Sequence, residues 1–389
     1  MSKISNSENV LLIEQFLTEN YQFRRNCLSK KIEVRACGES AFRQMTDEET
    51  NSIIRRARME LDEATNVKTH VVEYLHSNDI PQYDPIRDWL DGLPQWDGQN
   101  RVAELFGRIP GVSSEQIYWL SVWMRSAVAH WRGMDTLHGN ECVPTFIGAQ
   151  GCGKSTFCRR LLPVHLREYF LDHLNLSNKF DKEMALTNSL LVNLDELDQV
   201  KVSQQSNLKQ TLSKVRVNAR PIFGREQYDR ERYASFVATT NNPHPLQDPT
   251  GSRRYICVRI TDGRLIDNET PIDYEQLYAQ LMDEVVKQGK RYWFTNEETH
   301  QIQQANAPFQ HEMDLTSMLE SLFRMPQEDE RARPLLVRDI VQMVMEQYPS
   351  AGTDKRLKVN VGTCLRKQGY ASKHTNEGNA YLVIPRSAA

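Results

Sequence analysis

The sequence predicts an α/β fold: a mostly parallel sheet, preceded by a small α+β region and followed by a helix–helix–hairpin module. Three observations support this. The apolar stretch VPTFIG at 143–148 runs into a glycine-rich segment, AQGCGKST, and then a helical pattern. Further apolar stretches at 189–197, 235–242 and 255–260 alternate with helical segments, as a parallel sheet requires. The last part of the chain then changes character, with two amphipathic helical patterns and a strand pair.

Taken in order, residues 1–80 form the N-terminal α+β region. The segment 21–35 predicts a strand pair around a turn. A helix is expected from Thr46, because TDEE places Glu49 three residues after a threonine N-cap. Ile53, Ile54, Ala57 and Leu61 then recur at helical spacing, and another helix is expected over 69–78. Residues 81–135 form a linker and helical region. Pro81, Pro85, Gly92, Pro94 and Gly98 punctuate its first part, which carries a short helix. A long helix over 114–131 presents Ile117, Leu120, Met124, Ala127 and Val128 on one side, with Trp119, Trp123 and Trp131 expected in the core.

Residues 136–300 are the core. After the strand 143–148 comes a short helix, 155–162, stopped at Pro163. Strands follow at 189–197, 235–242 and 255–260, and a helix around 274–288. Residues 301–389 form the terminal module. PLLVRDIVQMVMEQY and DKRLKVNVGTCLRKQGY read as helices and SKHTNEGNAYLVIP as a hairpin, an order compatible with a winged-helix-like module whose second helix faces DNA.

Composition excludes some classes and leaves others open. Of 389 residues, 39% are hydrophobic and 25% charged, enough for a substantial core in a soluble chain. No apolar run approaches the roughly 20 residues of a membrane helix. The start, MSKISNSENVLLIEQF, lacks the pattern of a secretory leader, so a cytoplasmic location without membrane contact is expected. Cys27, Cys37, Cys142, Cys152, Cys158, Cys257 and Cys364 form no CxxC pair and have no histidine pair at metal spacing, so reduced thiols are expected. The net charge of −3 does not announce a nucleic-acid binder. Locally, 209–232 holds seven basic residues against three acidic ones, and 355–374 holds six Lys or Arg and no carboxylate. Two such segments fit nucleic-acid contact through limited surfaces, although most charge runs are simply solvated faces.

The chemistry is concentrated in four elements. The first is Gly148-x-x-x-x-Gly153-Lys154-Ser155. Gly148, Gln150, Gly151, Cys152, Gly153, Lys154, Ser155 and Thr156 suit a loop whose backbone N–H groups wrap a phosphate. Lys154 would reach the β- and γ-phosphates of ATP, and Ser155 would hold Mg²⁺. The second is LLVNLDE at 190–196. Asp195, at the end of a buried strand, would bind Mg²⁺ through its shell, and Glu196 would act as general base on water. Acidic residues after a strand also serve as plain helix caps, so this signal gains weight only beside the loop. The third is Thr239-Thr240-Asn241-Asn242, where Asn241, or its neighbour Asn242, could meet the γ-phosphate or orient the water. The fourth is the pair Arg253 and Arg254 before the last strand. A guanidinium on the γ-phosphate is worth about 10³-fold or more in rate, while a structural ion pair is the plain alternative. One arginine could do each job. Cys152 adds an expectation of oxidant sensitivity inside the loop.

The order of loop, Asp-Glu strand, Asn strand and Gly-x-Arg-Arg resembles the virulence-associated protein E family, P-loop ATPases of phages, genomic islands and other mobile elements. DPIRDWLDGLPQWDG and TTNNPHPLQDPTGSRRY are similar to that family's patterns on either side of the core. The resemblance spans roughly 84–260. It implies a P-loop NTPase core akin to AAA+ proteins and superfamily 3 helicases, ATP and Mg²⁺ as ligands, and a homo-oligomeric ring with an arginine donated between subunits. Family members often carry a primase domain upstream, for which 80 residues are too few. It also implies a DNA-gripping hairpin between the Asp-Glu and Asn strands. Segments 215–218 and 221–228 would form it, with Lys214, Arg216, Arg220 and Arg225 on phosphates of single-stranded DNA. Arg220 and Arg225 could instead line a subunit boundary. The sequence therefore points to an ATPase driving a DNA helicase or replication-initiation function of a mobile element, with the terminal module as a second DNA contact. A nucleotide-switched regulator acting on protein partners is the alternative, and a small-molecule kinase a third. The Asp195-Glu196 pair and Asn241 argue for attack by water rather than transfer to a metabolite.

Overall fold

The computed structural model describes residues 5–134, 139–197, 200, 202–219, 228–246, 252–310, 315–327, 330, 332–348, 355–375 and 378–386. The chain divides into two compact units, Met1–Pro245 with Gly251–Pro308, and Leu246–Thr250 with Phe309–Ala389.

The first unit opens with α1 (Asn6–Asn20), β1 (Tyr21–Asn26), β2 (Ile32–Ala36), β3 (Arg43–Gln44), α2 (Asp47–Glu60), α3 (Val67–His76) and β4 (Gln82–Tyr83). The strands form one sheet in the order β3-β2-β1-β4, with β1 antiparallel to β2 as its sequence implies. Helix α1 was not expected, although its signal is present. Ser5 and Glu8 make a reciprocal capping box, and Ile13, Phe16 and Leu17 bury its inner face. Helix α2 begins after Thr46 as expected, with the Glu49 N–H donating to Thr46 Oγ1 at 3.2 Å. The reciprocal half of that box is missing. Glu49 turns to the Arg43 guanidinium, 2.5 Å away, because a full positive charge outcompetes a backbone N–H for a carboxylate.

Next come α4 (Pro85–Asp91), α5 (Arg101–Phe106) and α6 (Ser114–Trp131). Asp84 caps α4 through Oδ1 and accepts the Tyr233 hydroxyl at 2.7 Å through Oδ2. Arg87 pairs with Glu231 at 2.6 Å, so this proline- and glycine-punctuated stretch is packed in place. Trp119, Trp123 and Trp131 are buried, as expected. Each removes roughly 200 Å² from water, on the order of 5 kcal/mol of apolar burial before entropy is charged against it.

The central sheet follows: β5 (Val143–Ile147), α7 (Lys154–Arg160), β6 (Phe170–Leu171), α8 (Lys179–Asn188), β7 (Leu191–Leu194), α9 (Val202–Ser213), β8 (Arg216–Ala219), β9 (Tyr228–Glu231), β10 (Ser235–Thr240), β11 (Tyr255–Arg259), α10 (Tyr274–Met282) and α11 (Asn296–Ala305). Strands β11-β5-β10-β7-β6 lie side by side, all parallel, with β8 and β9 forming a separate antiparallel ribbon. Strands β5, β7 and β10 are buried along their whole length, which explains their continuous apolar character. One consequence matters for the site: β10 lies between β5 and β7, so the loop strand and the Asp-Glu strand flank the Asn strand. The ribbon agrees with the expected hairpin in its first strand. Its second strand begins at Tyr228, and most of 221–228, with Arg220 and Arg225, lies outside the described residues.

The second unit contains α12 (Leu315–Leu322), β12 (Phe323–Arg324), β13 (Arg333–Leu336), α13 (Val337–Gln347), α14 (Lys355–Lys367), β14 (Ser372–Thr375) and β15 (Gly378–Pro385). Strand β15 pairs antiparallel with β12, β13 and β14. Residues 334–336, read above as the start of a helix, instead form strand β13 with Arg333. Pro334 restricts the residue before it to extended backbone, and Leu335 is buried where β13 pairs with β15 opposite Tyr381. Among the described residues, no helix is long and apolar enough to cross a membrane.

Candidate functional site

The carboxyl ends of β5, β7 and β10 meet at one cleft. Gln150, Gly151, Gly153, Lys154, Ser155, Thr156, Asp195, Glu196, Thr240 and Asn241 line it, enclosing about 350 Å³. Period-2 alternation explains why these side chains converge. Val237 pairs with Asn193 and Thr239 with Phe146, so Asn193, Asp195, Thr239 and Asn241 share the face on which α7 packs. The ring of Phe146 meets Phe157 of α7 edge-on at 5.6 Å and fixes that helix over the sheet.

The loop's shape comes from its glycines. Gly151 and Gly153 have φ of +80° and +90°, in the left-handed region that other residues reach only with strain. A Cβ on Gly153 would lie 2.5 Å from Asn268 Nδ2, and that amide donates to the Gly153 carbonyl at 3.0 Å. Gly148 is packed rather than exposed to the cleft: a Cβ there would meet Ile260 at 3.1 Å. Cys152 is buried, with its sulfur 3.7 Å from Lys154 Nζ, so it supports the loop from beneath instead of facing the cleft. That burial weakens the expectation of ready oxidation.

Lys154 is the electrostatic centre. Its ammonium donates to the Gly148 and Ala149 carbonyls, each at 2.8 Å, and to Asn241 Oδ1 at 2.9 Å. A buried cation held by three neutral oxygens can be drawn to a polyanion, whose full charge binds it more strongly than carbonyl dipoles do. Ser155 and Thr156 start helix α7, which stops at Arg160, short of the expected 162. Across the cleft, Asp195 accepts the Thr239 hydroxyl in a short hydrogen bond. Glu196 is exposed and has φ of +50°, rare for a residue with a Cβ. Burial above all, and then the carboxylates of Asp172 and Asp195, push the Cys158 thiol well above its usual range. Asn193 is buried there, its amide 3.5 Å from Asp172 and its Oδ1 without a protein partner among the described residues.

Arg253 and Arg254 are not in this cleft. They sit in a short turn at the start of β11, and the register Tyr255↔Val143 to Arg259↔Ile147 puts them at the opposite end of the sheet from the loop. The two have separate surroundings. Arg254 is largely buried and bonds Glu141 at 3.1 Å and Ser213 at 3.3 Å, whereas Arg253 is exposed. Both line a second cavity of about 320 Å³ with Glu141, Tyr292 and Trp293. Lys214 and Arg216, expected on DNA phosphates, have internal carboxylate neighbours. Lys214 lies 3.8 Å from Glu183, and Arg216 pairs with Asp229 across the ribbon.

Three residues in this architecture were not singled out from sequence. Thr239 holds Asp195, and was visible only as part of TTNN. Asn268 clamps the loop at Gly153 and follows no pattern at all. Arg232 is fully buried, and donates to the carbonyls of Leu212, Lys214, Ala234 and Asn140 at 2.6–3.0 Å. It ties the end of α9 to the root of β10, and burial lowers its pKa to about 10.

Residues 90–311, more than half of the chain, match the virulence-associated protein E-like domain. No curated protein matches the chain. Among solved structures, the apo NrS-1 C terminal region is similar at 12% identity, over 98% of this chain and 100% of that one, with a TM-score of 0.46. Its A form gives 13% identity over 97% of this chain and 100% of that chain, again with a TM-score of 0.46. The S. cerevisiae Hsp104–ADP complex is similar at 11% identity over 65% of this chain and 38% of that chain, with a TM-score of 0.28. Likeness of this degree leaves function to be argued from the site.

Proposed function

The chain belongs to the virulence-associated protein E-like domain family, and on that premise we propose that it is a Mg²⁺-dependent ATPase driving a DNA helicase or replication-initiation function of a phage or mobile element. The observation carrying this proposal is the convergence of Lys154, Ser155, Asp195, Glu196 and Asn241 on one cleft at the carboxyl edge of a parallel sheet.

In this reading the sheet is a P-loop NTPase core of AAA+ or superfamily 3 helicase type, and the second unit a winged-helix-like module. The strand order supports the first, because the interposed β10 delivers Asn241 between loop and acidic pair. The triphosphate of ATP lies along the loop, where left-handed Gly151 and Gly153 keep the backbone open to it. Lys154 leaves its carbonyl partners for the β- and γ-phosphates. Ser155 and Asp195 would hold Mg²⁺, with Thr239 fixing the carboxylate. The ion would neutralise charge on the phosphates. The donor set fits, since a hydroxyl and a carboxylate are hard oxygen ligands. Glu196 accepts a proton from the attacking water, and Asn241 orients that water or the γ-phosphate. Arg253 reaches the γ-phosphate of a neighbouring subunit in a homo-oligomeric ring, while Arg254 keeps its turn in place. The β8–β9 ribbon bears on single-stranded DNA through Lys214 and Arg216, together with Arg220 and Arg225, which lie in the chain between its two strands.

One observation favours the second reading, a nucleotide-switched regulator acting on protein partners. The carboxylates beside Lys214 and Arg216 reduce the charge the ribbon offers to phosphates. ATP turnover measured with and without single-stranded DNA, followed by strand displacement, separates the two. Stimulation with displacement supports the helicase. Turnover indifferent to DNA, without displacement, supports the regulator.

A further inference from the structure

The second unit carries a charged surface that the nucleotide cleft does not explain. Helix α14 buries Leu357, Val361 and Leu365 against its own unit's core. The register of that face leaves positions 359, 363, 366 and 367 pointing the other way, at i, i+4, i+7 and i+8. Val359 is 67% exposed, an unusual place for a valine, and lies beside exposed Asn360. Thr363 is partly exposed, its hydroxyl donating to the Val359 carbonyl at 2.8 Å. Lys358, Arg366 and Lys367 are exposed around this centre, and Lys373 extends the positive edge onto β14. The segment 355–374 itself holds no carboxylate, and the neighbouring Glu320 of α12 accepts from the Gln368 amide at 3.0 Å at the far end of this face.

We propose that α14 is a base-reading helix that enters the major groove of duplex DNA. The pattern is a small apolar and amide centre ringed by cations. In a duplex, sequence is read by base edges and thymine methyl groups, while phosphates flank them. Val359 suits a thymine methyl group, and Asn360 suits the paired donor and acceptor of adenine. Lys358, Arg366, Lys367 and Lys373 suit the two phosphate rims. The geometry selects DNA over duplex RNA, because a helix of roughly 10–12 Å diameter fits a B-form major groove and not the narrow A-form one. It also separates two DNA activities: the ribbon would take single strands, and α14 a particular duplex. This inference does not depend on ATP hydrolysis and is tested without nucleotide.

The full-length protein, free of nucleotide, is used to select from a pool of random 20-base-pair duplexes, and the enriched sequence is compared with a scrambled duplex and with its own single strand. A recovered motif containing A·T pairs is expected, bound about tenfold or more tighter than the scrambled duplex. Val359→Ala and Asn360→Ala should lower that preference about tenfold while leaving scrambled-duplex binding unchanged. Arg366→Ala and Lys367→Ala should weaken both duplexes alike and reduce the salt slope by about one each. Both sites are exposed, so circular dichroism should show unaltered folding. Recovery of no motif, or a preference that survives Val359→Ala and Asn360→Ala, overturns base reading. Duplex binding unaffected by the Arg366 and Lys367 variants overturns the site. Either result leaves the ATPase reading standing, and loss of ATP turnover alone leaves this one standing.

Discussion

Replacing Arg253 by alanine tests whether the site is completed by a second copy of the chain. Strand β11 pairs with β5 from Tyr255↔Val143 to Arg259↔Ile147, and Arg253 precedes that register while the loop follows Ile147. At least six residue steps separate them, roughly 20 Å at about 3.3 Å per step, farther than an arginine side chain reaches. Arg253 therefore cannot touch a phosphate bound by its own loop. If it acts on the neighbour's, Arg253→Ala should lower kcat about 10³-fold, on the order of 4 kcal/mol of transition-state stabilisation, with little change in ATP affinity. Lys154→Ala should be inactive for a different reason. Mixing the two inactive proteins before assembly creates competent interfaces wherever an intact loop meets an intact Arg253. Random one-to-one mixing in a ring makes that about one quarter of interfaces, so about a quarter of the wild-type rate should return. Steady-state phosphate release on co-assembled mixtures reads it directly. No recovery in a mixture shown to co-assemble would refute the reasoning, as would an Arg253→Ala protein with full activity.

Other consequences follow from particular contacts. Asn241→Ala removes one of three oxygens that hold Lys154, so ATP should bind as well or better while kcat falls about tenfold or more. Weaker binding with unchanged kcat would contradict that role in a combined binding and turnover experiment. Arg125 and Glu284 form a buried ion pair at 3.2 Å. Arg125→Met should cost about 3 kcal/mol in urea unfolding, the low end for a broken buried pair, because Lys290 still lies 3.1 Å from Glu284. A loss below about 1 kcal/mol would place the pair among ordinary surface contacts. Glu298 bonds the Arg291 guanidinium first of all, and also the Thr295 N–H and the Tyr118 hydroxyl, which hold its pKa down at about 2. A depressed carboxylate stabilises fully above its unfolded value of about 4.3 and loses that contribution as pH falls through 2. Amide exchange in α11 should accordingly accelerate between those values, and exchange that stays flat there would remove Glu298 as its anchor.

Sequence disclosed the parts of this protein whose residue types are dictated by local chemistry. A loop that curls around a phosphate needs glycines where φ is positive, and strands buried on both faces must be apolar, so 143–156 and the strands through Tyr255 could be read directly. The reach of Asp195, Glu196 and Asn241 into one cleft followed only in outline, because strand order is set by packing and not by spacing. The remaining discrepancies come from competition between contacts. Glu49 left its capping box for Arg43, and 334–336 pair with β15 instead of starting the helix. Lys214 and Arg216, which looked like free cations in a basic run, have carboxylates close by in three dimensions. Arg232, Asn268 and Thr239 act through backbone carbonyls or a single side chain, and such partners leave no mark in sequence. The left-handed backbone of Glu196 is likewise invisible in a string of letters.

The central claim is that the cleft between the loop and Glu196 hydrolyses ATP with water as nucleophile. Glu196→Gln keeps the shape of the side chain and removes its basicity, so it tests that claim most directly. ATP binding, measured by equilibrium titration with Mg²⁺, should stay within a few-fold of wild type, while single-turnover hydrolysis falls about 10²-fold or more. Hydrolysis at the wild-type rate in the Glu196→Gln protein would contradict the account.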